Sequence, residues 1–221
     1  MKSNQDYKNA ALEALRGNWP VAVITVIVYM AIVSVCSAPS SILGNGFLPF
    51  VPEWVVAGTS GASLLLTVLF LAPLQVGYYN TFNRLYQEGN TDVVSNLFTS
   101  GFRNWGHIVG GQLLMAVYIF LWCLLLIVPG IVKAYSYAMT PYILVDRPEL
   151  SANEAISLSC RMMKGRKFDL FYLQLSFIGW ALLCVITLGI GFLWLSPYMM
   201  TAQAAFYQDV KADYEMQSVR A

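Results

Sequence analysis

Amide side chains interrupt the apolar stretches of this sequence. They are Gln75, Asn80, Gln112, Gln174 and Gln203. Inside a lipid bilayer a polar side chain normally faces a neighbouring helix or a cavity. One interpretation is structural: such amides form interhelical hydrogen bonds worth about 0.6–2 kcal/mol each. The other is functional: the amides line a polar cavity that holds a ligand.

Three prolines bear on the choice between these interpretations. Pro73, Pro141 and Pro197 each follow a small residue within an apolar segment. A proline breaks the helical hydrogen-bond ladder, and the freed carbonyl groups can line a cavity. No carboxylate lies deep in any apolar segment, which argues against a proton-coupled transporter.

Basic residues form a second candidate set. Lys133 lies in an apolar segment, where it is either an anchor whose stem reaches the membrane surface or a cation that binds a lipid phosphate or anionic ligand. A cluster follows further along the chain: Arg161, Lys164, Arg166 and Lys167. The cluster sets topology, binds anionic lipid at about 1 kcal/mol per basic residue, or does both.

Catalytic and metal-binding patterns do not occur in the sequence. His107 is the single histidine, and the four cysteines lack the paired spacing of a disulfide or zinc site. No Ser-His pair or acid dyad is recognisable. We therefore predict a non-enzymatic protein that needs no cofactor and no metal.

The composition indicates a protein that crosses a membrane several times. Of 221 residues, 57% are hydrophobic and 11% are charged, and the mean hydropathy is +0.58. Soluble domains carry roughly 25% charged residues, so a soluble or disordered protein is excluded. The formal net charge of +1 gives no electrostatic field for nucleic acid.

Six transmembrane helices fit the apolar segments, since each span needs about 20 apolar residues. The predicted spans are residues 20–38, 62–82, 107–128, 131–145, 169–188 and 192–208. Segment 131–145 is short, so it either spans or re-enters. Six spans put both termini and every basic residue but Lys133 on one side, which the positive-inside rule makes cytoplasmic. The apolar loop 37–61 is expected to lie in the outer interface.

The order of segments repeats three times in one membrane domain. Polar stretches 3–16, 92–102 and 152–164 have helical periodicity, and each precedes a hairpin. They are predicted to be amphipathic helices that lie flat on the cytoplasmic leaflet. Ser151 with Glu154, and more weakly Ser3 with Asp6, form capping boxes, and Gly17 and Gly165 are predicted C-terminal caps. The proposed repeat units are 3–90, 91–147 and 151–210.

Several motifs resemble a known family. They are LRGNW (15–19), PLQVGYY (73–79), IVPGIVKAYSYAM (127–139), PELSANEAI (148–156), MMKG (162–165) and LGIGFLW (188–194). In these motifs the chain is similar to the bacterial integral-membrane family known as domain of unknown function 975. The resemblance implies a multi-pass protein of the bacterial plasma membrane, and it supplies no reaction, ligand or site residue.

These observations predict an all-α bundle of about six transmembrane helices with three interfacial helices. The expected function is binding of lipid or an amphipathic ligand, or assistance to a membrane complex. The alternative is a small-solute or peptide transporter or channel. The expected partners are membrane lipids, together with either another membrane protein or a second copy of this chain.

Overall fold

The computed structural model describes residues 3–44, 61, 65, 67–89 and 92–220, and the described part of the chain is all-helical, with no strand. The helices are α1 (Asn4–Leu15), α2 (Trp19–Gly44), α3 (Ala72–Glu88), α4 (Val93–Phe102), α5 (Trp105–Leu125), α6 (Ile127–Tyr137), α7 (Thr140–Asp146), α8 (Ala152–Met162), α9 (Lys167–Leu175), α10 (Ile178–Ile186) and α11 (Phe192–Arg220). A turn of π-helix, Thr67–Leu71, precedes α3. Most of the predicted outer loop and part of the predicted span 62–82 lie outside the described residues.

Both predicted capping boxes are confirmed. In α1 the Ser3 hydroxyl accepts the backbone N–H of Asp6, and the Asp6 carboxylate accepts the backbone N–H of Ser3. Ser151 and Glu154 make the same reciprocal pair at the start of α8. Gly17 and Gly165 follow α1 and α8 with φ of +88° and +82°, a conformation that glycine adopts without strain. The two amphipathic stretches therefore begin and end close to the predicted positions.

The turn between α5 and α6 differs from the prediction. The predicted span 107–128 continues to residue 128, just before Pro129-Gly130. Instead α5 ends at Leu125, Leu126 is extended, and α6 already contains Pro129 in its first turn. Proline is tolerated there because first-turn N–H groups have no intrahelical acceptor. Gly130 instead allows close packing, because a Cβ atom there would overlap the Cys123 sulfur.

The predicted segment 131–145 comprises two helices. The helix α6 ends at Tyr137, Ala138 and Met139 form a turn, and Pro141 lies in the first turn of α7. The C-terminal hairpin is confirmed: α10 ends at Ile186, Gly189 has a positive φ, and α11 begins at Phe192. One further difference is that α2 continues to Gly44, into the region predicted to be loop.

Within the described residues, three helices are long and apolar enough to cross a membrane. They are Trp19–Cys36, Trp105–Leu125 and Lys167–Ile186, the last of which comprises α9 and α10. Each is the first helix of a predicted hairpin. Large apolar side chains at the hairpin turns are exposed, up to 94% for Leu188. A surface of this kind indicates association with a membrane rather than contact with water.

Two clusters of buried apolar side chains hold the helices together. The first joins α1 to α7, α8, α9 and α11, and contains Tyr7, Tyr142 and Phe206. The second joins the end of α1 to α2, α3 and α4, and contains Leu15, Phe82 and Leu97. The amphipathic helices thus bury one face each, although Phe98 of α4 is 39% exposed.

Two glycines set the distance between α3 and α4. A Cβ atom on Gly77 would overlap the carbonyl oxygen of Leu97, and one on Gly101 would overlap the carbonyl oxygen of Pro73. The two backbones are therefore in direct contact, as small residues allow between membrane helices. This contact fixes α3, the helix that carries Gln75.

We predict that Gly77→Ala lowers the melting temperature of the detergent-solubilised protein, measured by circular dichroism. The added methyl group must separate two backbones, which costs about 1–3 kcal/mol in a packed interior. Gly106→Ala in α5 is the matched control, because a Cβ atom there meets no other atom within 4 Å. Equal melting temperatures for the two variants would contradict the close packing of α3 and α4.

Candidate functional site

Four of the five predicted amides line one cavity of about 320 Å³. They are Gln75, Gln112, Gln174 and Gln203, on α3, α5, α9 and α11. Asn80 does not line it. That side chain is 2% exposed on α3, and its Nδ2 atom lacks a hydrogen-bond partner among the described residues.

The cavity wall carries polar side chains but no charged one. The Gln174 amide oxygen accepts a hydrogen bond of 2.9 Å from the Tyr135 hydroxyl. Within the described part of the chain, no hydrogen bond is formed by the side chain of Gln112 or Gln203. The remaining wall is mostly apolar, with Met115, Leu173, Phe177 and Met199 among its members. Such a lining suits a ligand with a neutral hydrogen-bonding group and an apolar body.

A second cavity of about 400 Å³ adjoins the first. Gln75, Gln112 and Met115 line both, and Tyr29 and Val33 of α2 complete the second. The two amides therefore lie between two open spaces. Pro141, one of the three predicted helix-breaking prolines, lines the first cavity directly.

Arg166 forms a buried ion network. Its side chain donates to the Asp209 carboxylate at 2.6 Å and to the Tyr7 hydroxyl at 2.9 Å, and its Nε atom lies 3.0 Å from Asp169. It also pairs with Asp213. The Tyr7 hydroxyl donates to Asp209 at 2.7 Å. The network joins α1, the start of α9 and the distal part of α11.

Electrostatics keep Tyr7 protonated and Arg166 charged. Burial, together with the Asp209 carboxylate, raises the pKa of Tyr7, so Tyr7 remains a hydrogen-bond donor. Burial alone would lower the pKa of Arg166, but the hydrogen bond and charge of Asp209, with Tyr7 and Asp213, raise it overall. Arg166 is 6% exposed. The sequence predicts Arg166 to be one of the residues that bind anionic lipid. The structure corrects this prediction, because carboxylates inside the protein already compensate the charge of Arg166.

The other predicted basic residues lie at the surface. Arg161 and Lys164 are exposed and Lys167 is half-buried. The Lys133 ammonium group lies 4.6 Å from the centre of the Trp122 ring, an arrangement typical of a cation–π contact. None of these four residues has an ion-pair partner among the residues described.

The sequence analysis missed Tyr7, Asp209 and Asp213 as partners of Arg166. One signal was available: Asp209 and Asp213 are four residues apart, which places both on one side of a helix. A second ionic group also went unnoticed. Asp146 accepts hydrogen bonds of 2.8 Å from both Tyr207 and Lys211.

A helical protein with apolar hairpins and an open cavity lined by four glutamines is the class that this geometry defines. Residues 124–214 match the model of one family, whose description is "Protein of unknown function (DUF975)". The resemblance seen in the sequence is thus confirmed over that part of the chain. The matched part contains Gln174, Gln203 and Arg166 but not Gln75 or Gln112. No curated protein and no solved structure matches the chain.

We predict that Arg166→Met destabilises the protein by about 3 kcal/mol. Removing one partner of a buried ion pair costs about 3–5 kcal/mol, and the partial exposure of Asp169 and Asp213 favours the low end of that range. Arg161→Met, an exposed arginine of the same segment, should change stability by less than about 0.5 kcal/mol. Thermal unfolding in detergent measures both variants. Equal stabilities would show that the network does not hold the helices together.

Proposed function

We propose that this protein binds an uncharged, hydrogen-bonding amphipathic molecule, a lipid or a lipid-like compound, in the glutamine-lined cavity. The convergence of four amides from four helices carries the proposal. Gln112 is 9% exposed and Gln203 is half-buried, and both side chains lack a hydrogen-bond partner among the described residues. Both amides can therefore bond to a ligand in the cavity, and one such hydrogen bond is worth about 1 kcal/mol. The cavity volume is within the range of small-molecule sites, about 300–1,000 Å³.

The proposal places the protein in the bacterial plasma membrane with six spans and cytoplasmic termini. Each of the three long apolar helices is followed by a second helix that contains or begins at a proline: α3, α6 with α7, and α11. An amphipathic helix precedes each pair. This order supports three copies of one hairpin unit, with the ionic groups of Arg166 and Asp146 on the cytoplasmic side.

Transport of a small solute or peptide is the second candidate function. It is favoured by the two adjoining cavities that share Gln75 and Gln112, because a solute site between two openings permits passage. Assistance to a membrane complex is a third role. It requires a stable partner, either another membrane protein or a second copy of this chain.

We predict that the protein, released from its own membrane without detergent exchange, carries a discrete small adduct in native mass spectrometry. Gln112→Leu should lower the occupied fraction about fivefold, since one hydrogen bond is worth about 1 kcal/mol. Gln87→Leu is the matched control, an exposed glutamine of α3 outside the cavity wall.

An adduct that survives Gln112→Leu unchanged would contradict the proposed site. A protein without any adduct but with a stoichiometric protein partner would favour the role in a complex. If the adduct crosses the bilayer of proteoliposomes that contain the protein, the transport function is the correct one.

We predict that reporter insertions at Leu126 and Gly189 face the outside and that a C-terminal reporter faces the cytoplasm. Alkaline phosphatase activity at the first two positions and green fluorescent protein fluorescence at the C terminus would agree with six spans. Inactive phosphatase at Leu126, with active phosphatase at Gly189, would show that α5 and α6 re-enter the membrane and would contradict the six-span arrangement.

A further inference from the structure

The second cavity, of about 400 Å³, differs in chemistry from the glutamine-lined cavity beside it. Apart from Gln75 and Gln112, the side chains that line it are apolar or aromatic. They are Tyr29 and Val33 on α2, Val68 and Leu71 in the π-helical turn, Ala72 on α3, and Val109, Leu113, Met115 and Ala116 on α5. A polar space and an apolar space thus lie side by side.

The spacing of residues on α5 explains how the two cavities share one glutamine. Val109, Leu113 and Ala116 recur at intervals of four and three residues, so they form one stripe along the second cavity. Gln112 and Ile119 are seven residues apart and lie on the neighbouring stripe, along the glutamine-lined cavity. Because Gln112 is also three residues after Val109 and four before Ala116, its amide lies at the border of both spaces.

Contacts outside the second cavity fix its walls. The Trp105 indole N–H donates to the carbonyl oxygen of Leu69 at 2.7 Å, which holds the π-helical turn against the start of α5. The Tyr29 ring is stacked on the Tyr78 ring with 4.5 Å between the ring centres, which holds α2 against α3. Turns of π-helix are frequent at functional sites. The second cavity is therefore a space between helices that are held in place.

The second cavity opens on the apolar outer face of α5. Leu113 is 50% exposed, and Ala116 is exposed as well. Val117 and Phe120, four and seven residues after Leu113, are exposed on the same side of the helix. Both α5 and the Trp19–Cys36 part of α2 are long and apolar enough to cross a membrane. An exposed apolar surface on such helices is stable against acyl chains, so this opening admits an acyl chain.

We propose that the second cavity holds the hydrocarbon chain of an uncharged lipid whose head group bonds to the glutamines of the adjoining cavity. This inference rests on the function proposed for that cavity, and it narrows the ligand to a lipid that enters sideways from the bilayer. Gln75 and Gln112 border both spaces, so a head group bonded to them has its chain directly beside the second cavity.

The absence of charge defines the class of lipid. Among the described residues that line the two cavities, none carries a charged side chain. A phosphate or ammonium group would lose its hydration there without gaining a counter-charge, which is costly. Hydroxyl and amide groups can exchange hydrogen bonds with glutamine. A monoacylglycerol is the simplest lipid that meets these conditions.

Binding of monooleoylglycerol tests the proposal. The protein is reconstituted in phosphatidylcholine nanodiscs with increasing fractions of this lipid, and bound lipid is counted by native mass spectrometry. We expect Ala116→Trp to weaken binding about tenfold, because the added ring fills space that the chain needs; this factor equals about 1.4 kcal/mol. Val117→Trp is the matched control, since Val117 is exposed on the same helix and lines neither cavity.

Gln112→Leu separates this proposal from the function proposed for the glutamines. If Gln112→Leu weakens binding and Ala116→Trp does not, the ligand lies in the glutamine-lined cavity alone and the chain site is wrong. If Ala116→Trp weakens binding and Gln112→Leu does not, the chain site is supported and the function proposed for the glutamines fails. Equal weakening by Ala116→Trp and Val117→Trp would also overturn the chain site, because it would show a general effect of bulk on the outer face of α5.

A second measurement covers the case in which Ala116→Trp fails to fold. A monoacylglycerol with a diazirine in the middle of its chain is photo-crosslinked to the wild-type protein, and the modified residues are identified by peptide mass spectrometry. We expect crosslinks at Leu113 and Ala116 that excess monooleoylglycerol removes. Crosslinks confined to Met199 and Met200, which line only the glutamine-lined cavity, would overturn the proposal. So would crosslinks at Leu113 and Phe120 alike that excess lipid leaves unchanged.

Discussion

The charge of Arg166 is the constraint on which the arrangement of the helices depends. A guanidinium group that is almost fully buried is stable only if carboxylates and hydrogen-bond acceptors surround it. Asp209, Asp213, Asp169 and Tyr7 supply these partners. They lie on α1, α9 and α11. The ion network therefore holds the N-terminal helix, the last hairpin and the distal part of α11 together.

The positions of the helices that line the cavity depend on this ion network and on close helix packing. The network positions the start of α9 and the distal part of α11, and these helices carry Gln174 and Gln203. The glycine contact between α3 and α4 positions Gln75. A third small residue, Gly111 on α5, packs against Leu144, which brings Gln112 to the same space. The position of each glutamine in the cavity thus depends on a contact between helices that lies outside the cavity.

Local features of this fold were predictable from the sequence, and long-range pairings were not. Capping boxes, glycine caps and the C-terminal turn depend on neighbouring residues, so short motifs identified them. Apart from Asp169, the partners of Arg166 lie more than forty residues away or at the other end of the chain, and several acidic residues could equally have paired with it. The end of α5 was misplaced because Pro129 is compatible with the first turn of α6.

The five amides show the same difference between local features, which the sequence predicts, and long-range arrangement, which it does not. Apolar flanks identified all five, yet Asn80 lies apart from the cavity. Gln75 and Asn80 are five residues apart on α3, about 140° around the helix, so they face different neighbours. Six spans stay a prediction, because within the described residues three helices are long and apolar enough to cross a membrane, and α6 and α7 are separated by a turn.

A density map of the protein in nanodiscs of its native lipids tests the central claim most directly. The account predicts an open space with bound, non-protein density in contact with Gln112 and Gln203. A dry, closed interface, with these two amides hydrogen-bonded to side chains of neighbouring helices, would contradict it. In that case the glutamines would be structural, and the binding function would have no site.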